Sequence, residues 1–175
     1  MCETFKILVL GWKSVGKSSL INTLLFNEDL KSDKYATLAY RKYFIFEGQQ
    51  IAIDFLDFSQ EIYNLPKEYI QNSHGVIFVF SLLNEKSFDK IEEFQIKVFI
   101  EKLLPFVLLG NQSDLANQRK ITLEMVKKQY GTENYFETSK NSPECTLASV
   151  YHLITQIKKK QPQQKISSKR FCCCN

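Results

Sequence analysis

The feature that most constrains the fold is a glycine-rich phosphate loop that directly follows a strand-like apolar run, at residues 5–18 (FKILVLGWKSVGKS). Gly11 and Gly16 allow the tight turn that points backbone N–H groups at an anion. In this GxxxxGKS pattern, Lys17 is predicted to reach the β- and γ-phosphates of a nucleoside triphosphate. Ser18 is predicted to bind Mg²⁺. The segment therefore predicts a strand, a phosphate-binding turn and a helix in that order.

The residues around this turn support the same interpretation. Leu20, Ile21, Leu24 and Leu25 follow at helical spacing, so a helix begins near Lys17 and points its positive end at the phosphates. An accidental glycine turn before an amphipathic helix is the alternative, and the strand before the turn disfavours it. The predicted nucleotide contacts also include the residues between the two glycines: Lys13, Ser14 and Val15.

Two later segments carry the evidence for the base. The run FVLLGNQSD at 106–114 resembles the guanine-recognition motif NKxD of small GTPases, and YFETSKNS at 135–142 resembles the ETSAK loop of Ras-like proteins. Asp114 is expected to accept hydrogen bonds from the guanine N1–H and exocyclic amine, and a base without those donors would leave the carboxylate unpaired. Either segment alone could be an ordinary strand-to-loop exit. The resemblance assigns nucleotide contacts to Asn111, Gln112, Asp114, Ser139 and Lys140.

The resemblance to the Ras superfamily extends from Phe5 to about Lys158. It implies GTP or GDP and Mg²⁺ as ligands. Thr37, in KYAT, matches the switch I threonine that caps the γ-phosphate and Mg²⁺. Asp57, at the end of IAIDFLD, matches the acidic residue that holds the Mg²⁺ shell through water. Taken alone, Thr37 could equally be a solvated loop residue and Asp57 a helix N-cap.

The departures from the family pattern concern hydrolysis. After Asp57 the chain reads DFSQE where the family reads DTAGQE, so the glycine that meets the γ-phosphate is missing. Gln60 matches the water-orienting glutamine, although the segment is about two residues shorter than in Ras. Lys13 stands where Ras has a glycine and could obstruct the attacking water or, alternatively, supply a positive charge in cis. Gln112 replaces the lysine of NKxD, which predicts modestly weaker nucleotide binding.

Length and patterning predict one α/β domain, a three-layer sandwich with a six-stranded, mostly parallel sheet and one antiparallel edge strand. We place the G domain at residues 1–158 and a basic tail at 159–175. Strands are predicted at 5–10, 41–47, 50–57, 76–80, 106–109 and 135–138. Helices are predicted after the phosphate loop, near 63–72, around Phe88–Val98, between Thr122 and Gly131, and around Leu147–Ile157. This order places the site at the carboxyl ends of the strands.

The C-terminal segment has a composition of its own. Six of the 23 basic residues and none of the 19 acidic residues lie from Lys158 onward, so the formal charge of +4 divides into +6 there and −2 before it. We predict a flexible polybasic spacer with lipidation at Cys172, Cys173 and Cys174, similar to the paired-cysteine endings of Rab proteins. Unmodified or metal-binding cysteines remain the alternative. Nucleic-acid binding is disfavoured because Phe171 is the only interleaved aromatic residue.

These observations leave two functions of different class. One is a membrane-tethered GTPase switch of signalling or membrane traffic, with slow hydrolysis and with effector, exchange-factor and GAP partners. The other is a pseudo-GTPase that binds GTP and recruits partners without meaningful hydrolysis. A nucleotide kinase is disfavoured by NQSD and ETSK. The N-terminus has no signal-peptide pattern, which predicts a cytosolic pool. The basic tail with its cysteines predicts attachment to the cytoplasmic face of a membrane. We expect a monomer.

Overall fold

A computed structural model describes residues 2–25, 30–32, 37–58 and 62–160, and these form a seven-stranded sheet in the order β2-β3-β4-β1-β5-β6-β7. The strands are β1 (Glu3–Gly11), β2 (Leu30–Ser32), β3 (Thr37–Phe46), β4 (Gln49–Phe58), β5 (Gly75–Ser81), β6 (Phe106–Asn111) and β7 (Tyr135–Thr138). The helices are α1 (Lys17–Leu25), α2 (Lys67–Asn72), α3 (Glu85–Asp89), α4 (Ile91–Glu101), α5 (Leu123–Tyr130) and α6 (Pro143–Lys160).

The predicted mostly parallel α/β sheet is confirmed, and its antiparallel strand is β3. β3 and β4 form a hairpin in which Phe46 pairs with Gln49. The two-residue turn between them, Glu47 and Gly48, has φ angles of 50° and 74°. Positive φ at both positions is the turn geometry that matches the twist of a hairpin. β2 is an addition to the prediction. This three-residue strand pairs antiparallel with β3 and takes the edge position.

Two predicted helices differ in detail from the structure. The segment near 63–72 is a short 3₁₀ turn (Ile62–Asn64) followed by α2, because Pro66 stands at the N-cap of α2 and disfavours helix in the residue before it. The segment around Phe88–Val98 consists of α3 and α4, which meet at Lys90. The predicted N-cap of α5 is confirmed, since the Thr122 hydroxyl accepts a hydrogen bond from the Met125 N–H at 3.3 Å.

Two hydrophobic cores lie on opposite faces of the sheet, which gives the three predicted layers. On one face, α1 and α6 pack against the strands through buried residues such as Leu20 and Ile154. On the other, α2 to α5 contribute residues such as Ile70, Phe94 and Val126. The strands between them are buried on both faces, as parallel strands are in α/β proteins.

The last helix extends through three of the basic residues that the sequence analysis grouped together, Lys158, Lys159 and Lys160. Lys158 lies 3.7 Å from the Glu3 carboxylate, so it contacts the folded domain. Residues 161–175 lie outside the described part of the chain. Among the helices of that described part, none has both the length and the apolar composition that a membrane span requires.

Candidate functional site

The phosphate loop lies between the carboxyl end of β1 and the start of α1, where two glycines allow other groups to approach closely. A Cβ atom on Gly11 would lie 2.1 Å from the Val79 backbone oxygen in β5. A Cβ atom on Gly16 would lie 2.4 Å from the Asn111 side-chain nitrogen, and Gly16 has a φ of 91°. Both positions therefore require glycine for space as well as for conformation.

Lys17 is held within the loop. It is 6% exposed, and its ammonium group donates to the carbonyl oxygens of Gly11, at 3.0 Å, and Trp12, at 3.1 Å. Burial lowers the pKa of Lys17, and the negative charge of Asp57 partly offsets that effect. The first turn of α1 contains no acidic side chain, so its N–H groups and Lys17 together favour an anion at this end of the helix.

Ser18 and Asp57 form a pair of oxygen donors beside the loop. The Ser18 hydroxyl donates to Oδ2 of Asp57 at 2.5 Å, which joins the start of α1 to the end of β4. Asp57 is 1% exposed, and its Oδ1 has no hydrogen-bond partner among the described residues. A hydroxyl and a buried carboxylate oxygen fit the preference of Mg²⁺ for a few protein oxygens, with water and phosphate oxygens completing the octahedron.

Asn111, the last residue of β6, supports the phosphate loop from the neighbouring strand. Its side-chain N–H donates to the Val15 carbonyl oxygen at 2.8 Å, although the two residues are 96 positions apart. Asn111 is 5% exposed and its Oδ1 has no partner among the described residues. Asn111 is a predicted nucleotide contact, and this bond also fixes the phosphate loop.

The two segments with the proposed base contacts lie next to each other. The Ser113 N–H donates to the Thr138 carbonyl oxygen at 3.1 Å, which joins the NQSD loop to the end of β7. Oδ2 of Asp114 accepts a hydrogen bond from the Asn141 side chain at 3.0 Å. Ser139 is 1% exposed, and its hydroxyl accepts the Asn141 N–H at 3.2 Å. Asn141 was not among the predicted site residues.

Gln112 has a structural partner that the sequence did not indicate. Its side-chain oxygen accepts a hydrogen bond from the Ser81 hydroxyl at the carboxyl end of β5. The same hydroxyl accepts the Leu83 N–H at 3.1 Å. Gln112 also has a φ of 69°, a conformation that is uncommon outside glycine and asparagine. The NQSD loop is thus tied to β5, and the position of Gln112 in its motif gave no sign of this contact.

A cluster of aromatic and basic residues flanks the loop. The Lys13 ammonium lies 6.0 Å, and that of Lys90 5.7 Å, from the centre of the Trp12 ring. Lys90 also pairs with Glu93. Both distances are within the range of cation–π attraction. Trp12 and Lys90 are 78 positions apart in the chain, so only the fold shows that the start of α4 touches the phosphate loop.

Five predicted residues lie wholly or partly outside the described part of the chain. Gln60 and the three cysteines at 172–174 lie outside the described residues. Thr37 is the first residue of β3 and pairs with Phe58, but its side chain lies outside the described part. Lys140 is exposed at the end of the loop after β7. The remaining predicted residues lie at the carboxyl ends of the parallel strands, in the loops that follow them or, for Lys17 and Ser18, in the first turn of α1.

This arrangement of a phosphate loop, a lysine and a serine–aspartate pair at the carboxyl edge of a mostly parallel sheet defines the chain as a P-loop nucleotide-binding domain. Residues 6–159 match the family described as "Ras family". The chain belongs to the Ras family of small GTPases, which are GTP-binding proteins.

Two relatives show how far the similarity extends. The chain is 31% identical to "Ras-related protein Ral-a" of Drosophila melanogaster over 167 residues, which cover 90% of this chain and 83% of that protein. It is 28% identical to "Ras-related protein O-RAL" of Diplobatis ommata over 191 aligned positions, which cover 96% of this chain and 92% of the relative. The similarity therefore spans the whole domain and not the phosphate loop alone.

Proposed function

We propose that the protein is a molecular switch that binds GTP or GDP with Mg²⁺, hydrolyses GTP slowly and acts at a membrane in signalling or traffic. The observation that carries the proposal is the convergence of Lys17, Ser18 and Asp57. It supplies one buried cation for the phosphates and a hydroxyl–carboxylate pair for Mg²⁺. The orphaned Oδ1 of Asp57 is available to a water molecule of the metal shell.

Guanine selectivity is proposed to depend on Asp114. Its carboxylate is positioned by Asn141, and the loop that carries it is joined to β7. A fixed carboxylate discriminates well because a base lacking two donors would leave its oxygens desolvated and unpaired. The direct test is to denature protein straight from purification and identify the released nucleotide by chromatography. Release of guanine nucleotides supports the proposal, and release of adenine nucleotides contradicts it.

Slow hydrolysis is proposed because of Lys13 and the DFSQE segment. Lys13 is an exposed residue of the phosphate loop, and the Trp12 ring lies beside its ammonium group. A bulky cation there would occupy space needed by an attacking water or by an arginine finger. The DFSQE segment lacks the glycine expected to contact the γ-phosphate. The same features favour the second candidate, a GTP-binding protein that recruits partners without meaningful hydrolysis.

Single-turnover hydrolysis measured with and without cell extract separates these two candidates. A slow rate that the extract accelerates supports the GTPase switch, and no turnover in either condition supports the pseudo-GTPase. A variant with Lys13→Gly and a switch II of DTAGQE length should hydrolyse GTP well above the parent rate. The matched control is Lys120→Gly, which removes an exposed lysine outside the predicted nucleotide site. If the variant with Lys13→Gly and the longer switch II hydrolyses GTP no faster than the parent, the explanation of slow hydrolysis is wrong.

Membrane tethering is proposed from the basic residues after Ile157 together with the three cysteines at 172–174. One lipid chain gives reversible membrane binding, two anchor firmly, and each basic residue adds up to about 1 kcal/mol near an anionic leaflet. Effector, exchange-factor and GAP proteins are the proposed partners of a monomeric switch. Intact-mass measurement of protein from its own cells tests the lipidation directly, and an unlipidated mass contradicts it.

A further inference from the structure

Two large apolar side chains at the C-terminal end of α4 are almost fully exposed. Ile100 is 77% exposed and Leu103, which follows the helix, is 70% exposed. Scattered exposed aliphatic residues are normal on protein surfaces, but two of them three positions apart at one helix end form a local apolar surface. Phe99 and Leu104, their chain neighbours, pack inward, so Ile100 and Leu103 face outward.

Two lysines, Lys102 and Lys160, lie beside Leu103. The Lys160 ammonium donates to the Leu103 carbonyl oxygen, which places the end of α6 against the end of α4. Lys102 donates to the carbonyl oxygens of Gln71 and Ser73, each at 2.8 Å. Burial and the nearby charge of Lys160 lower the pKa of Lys102, so the two ammonium groups interact unfavourably. We call Ile100, Lys102, Leu103 and Lys160 the basal patch.

Two nearby carboxylates are already paired with other lysines. Glu101 lies 2.8 Å from the Lys67 ammonium and its side chain is only 14% exposed. Glu3 lies 3.7 Å from Lys158. Lys159, the neighbour of the patch on α6, is exposed. The excess charge around the two apolar side chains is therefore positive, which favours an anionic surface.

A shallow groove of about 230 Å³ adjoins the basal patch. Besides Lys102, Leu103 and Lys160, its walls include His74, Pro105 and Ile157. Ile157 also packs behind Gly75, where it lies 2.9 Å from the position that a Cβ would take. The groove is therefore a surface of the rigid core, and the apolar residues beside it do not belong to a loose end of the fold.

The basal patch lies at the end of the sheet opposite the phosphate loop. β6 begins at Phe106, next to the patch, and ends at Asn111, which contacts the loop. A strand of six residues spans about 20 Å, so the two sites are separated by roughly that distance. A flat partner could cover the basal patch and leave the phosphate loop accessible.

We propose that the basal patch is a lipid-docking face that lies against an anionic bilayer. This inference rests on the proposed membrane tethering and adds an orientation to it. The chain continues from Lys160 directly into residues 161–175, so any anchor in that segment would act from the same end of the domain. Cys172 is 12 residues beyond Lys160 and can be at most about 43 Å away even with a fully extended chain.

A lipid surface fits the patch better than a folded protein. Apolar side chains that enter the headgroup region while lysines remain at the phosphates are the arrangement expected of an interfacial site. Lys102 and Lys160 repel each other in the free protein, and lipid phosphates would relieve that repulsion. Binding should therefore need both anionic lipid and the two apolar side chains, and it should weaken as salt is raised.

The test uses the full chain, loaded with GDP, and vesicles of phosphatidylcholine with about one third phosphatidylserine. Ile100→Glu with Leu103→Glu should lower vesicle association about tenfold by co-sedimentation. The matched control is Leu123→Glu with Met125→Glu on the first turn of α5, where the native side chains are 53% and 38% exposed. This control should bind vesicles like the parent. Thermal unfolding of both variants checks that they remain folded.

Each comparison is made with the native cysteines and again with Cys172, Cys173 and Cys174 all changed to Ser. If the Ile100→Glu, Leu103→Glu variant loses vesicle association in both backgrounds, the docking face is supported even if lipidation is absent. Equal binding of the patch variant and its control in both backgrounds overturns the inference and leaves the anchor proposal unaffected. Hydrogen exchange adds a second readout. Vesicles should slow hydrogen exchange at residues 99–104 and not at residues 122–126. If exchange at 99–104 is slow without vesicles, and becomes fast when residues 161–175 are removed, the tail is the occupant of the patch and the inference is overturned.

Discussion

At the scale of single residues, the site depends on side chains that hold loops in place from neighbouring strands. Asn111 donates to the Val15 carbonyl, Ser81 donates to Gln112, and Asn141 donates to Asp114. Each bond links residues that are at least 27 positions apart in the chain. A hydrogen bond in such a position contributes only about 1 kcal/mol to stability, but it determines the geometry offered to a ligand.

Changing Asp114→Asn should shift base selectivity from guanine toward xanthine nucleotides. The amide presents a donor where guanine also presents one, so GTP affinity should fall by about 100-fold or more. Competition binding with GTP, XTP and ATP measures the change. Asn141→Ala is the control, because it removes the partner of Asp114 and keeps the carboxylate. It should weaken GTP binding only a few-fold. ATP binding as tight as GTP binding in the parent would contradict the base assignment.

Changing Gly11→Ala should destabilise the protein by about 2–3 kcal/mol, because the new methyl group would lie 2.1 Å from the Val79 backbone oxygen. Gly48→Ala is the matched control. Gly48 has a positive φ of 74° but nothing lies within 4 Å of its Cβ position, so only about 1 kcal/mol of backbone strain is expected. Urea unfolding of both variants measures the difference. Equal losses would show that crowding at the phosphate loop is not the cause.

At the scale of elements, the sequence predicted best where a local pattern determines the structure. β5, β6 and β7 are short apolar runs bounded by turn residues, and their predicted positions match within two residues. β2 was missed because its three residues have no alternating pattern and are ordered by pairing with β3. The break before α2 follows from Pro66. Periodicity alone gave one helix where the structure has a 3₁₀ turn and α2.

His74, in the connection between α2 and β5, should make the free energy of unfolding depend on pH. Burial and the charges of Lys102 and Lys6 lower the pKa of His74 below its usual value near 6.5. The neutral ring accepts the Lys6 N–H through Nδ1 at 2.9 Å. Because the unfolded chain binds a proton more readily, this stabilising contribution is complete above the unfolded pKa. It is lost as pH falls from about 6.5 toward the folded value.

Urea unfolding at pH 7.5 and pH 5 tests this expectation. His74→Asn should reduce the loss of stability on acidification relative to the parent, since the group that gains the proton is gone. His152→Asn controls for the removal of an imidazole elsewhere in the domain. If the parent and His74→Asn lose the same free energy of unfolding between the two pH values, the assignment to His74 is wrong.

At the scale of the whole molecule, the two ends of the sheet have different chemistry. The carboxyl ends of the strands carry the phosphate loop and the proposed base contacts. This end was predictable because its residues follow recognisable motifs and strand order brings them together. The bonds of Asp114 to Asn141 and of Asn111 to Val15 could not be predicted from the sequence, since they join residues 27 and 96 positions apart. The exposed pair Ile100 and Leu103 at the other end was equally invisible to pattern analysis.

Changing Cys172, Cys173 and Cys174 together to Ser should release the protein from membranes to the cytosol in its own cells. The change removes the proposed attachment points for lipid and keeps all six basic residues from Lys158 onward. Nucleotide affinity should not change, because the cysteines lie beyond α6. Cell fractionation and nucleotide titration measure the two effects. Membrane association that survives the triple substitution would assign the attachment to another part of the chain.

The position of Trp12 should make the intrinsic fluorescence of the protein sensitive to nucleotide binding. Trp12 is the single tryptophan of the chain, and it lies in the phosphate loop near the ammonium groups of Lys13 and Lys90. An indole ring responds to nearby charge, so a polyphosphate that attracts these lysines should change its emission. Intrinsic fluorescence can therefore follow nucleotide loading and release in the native protein in real time, with no label attached and no other indole contributing to the signal.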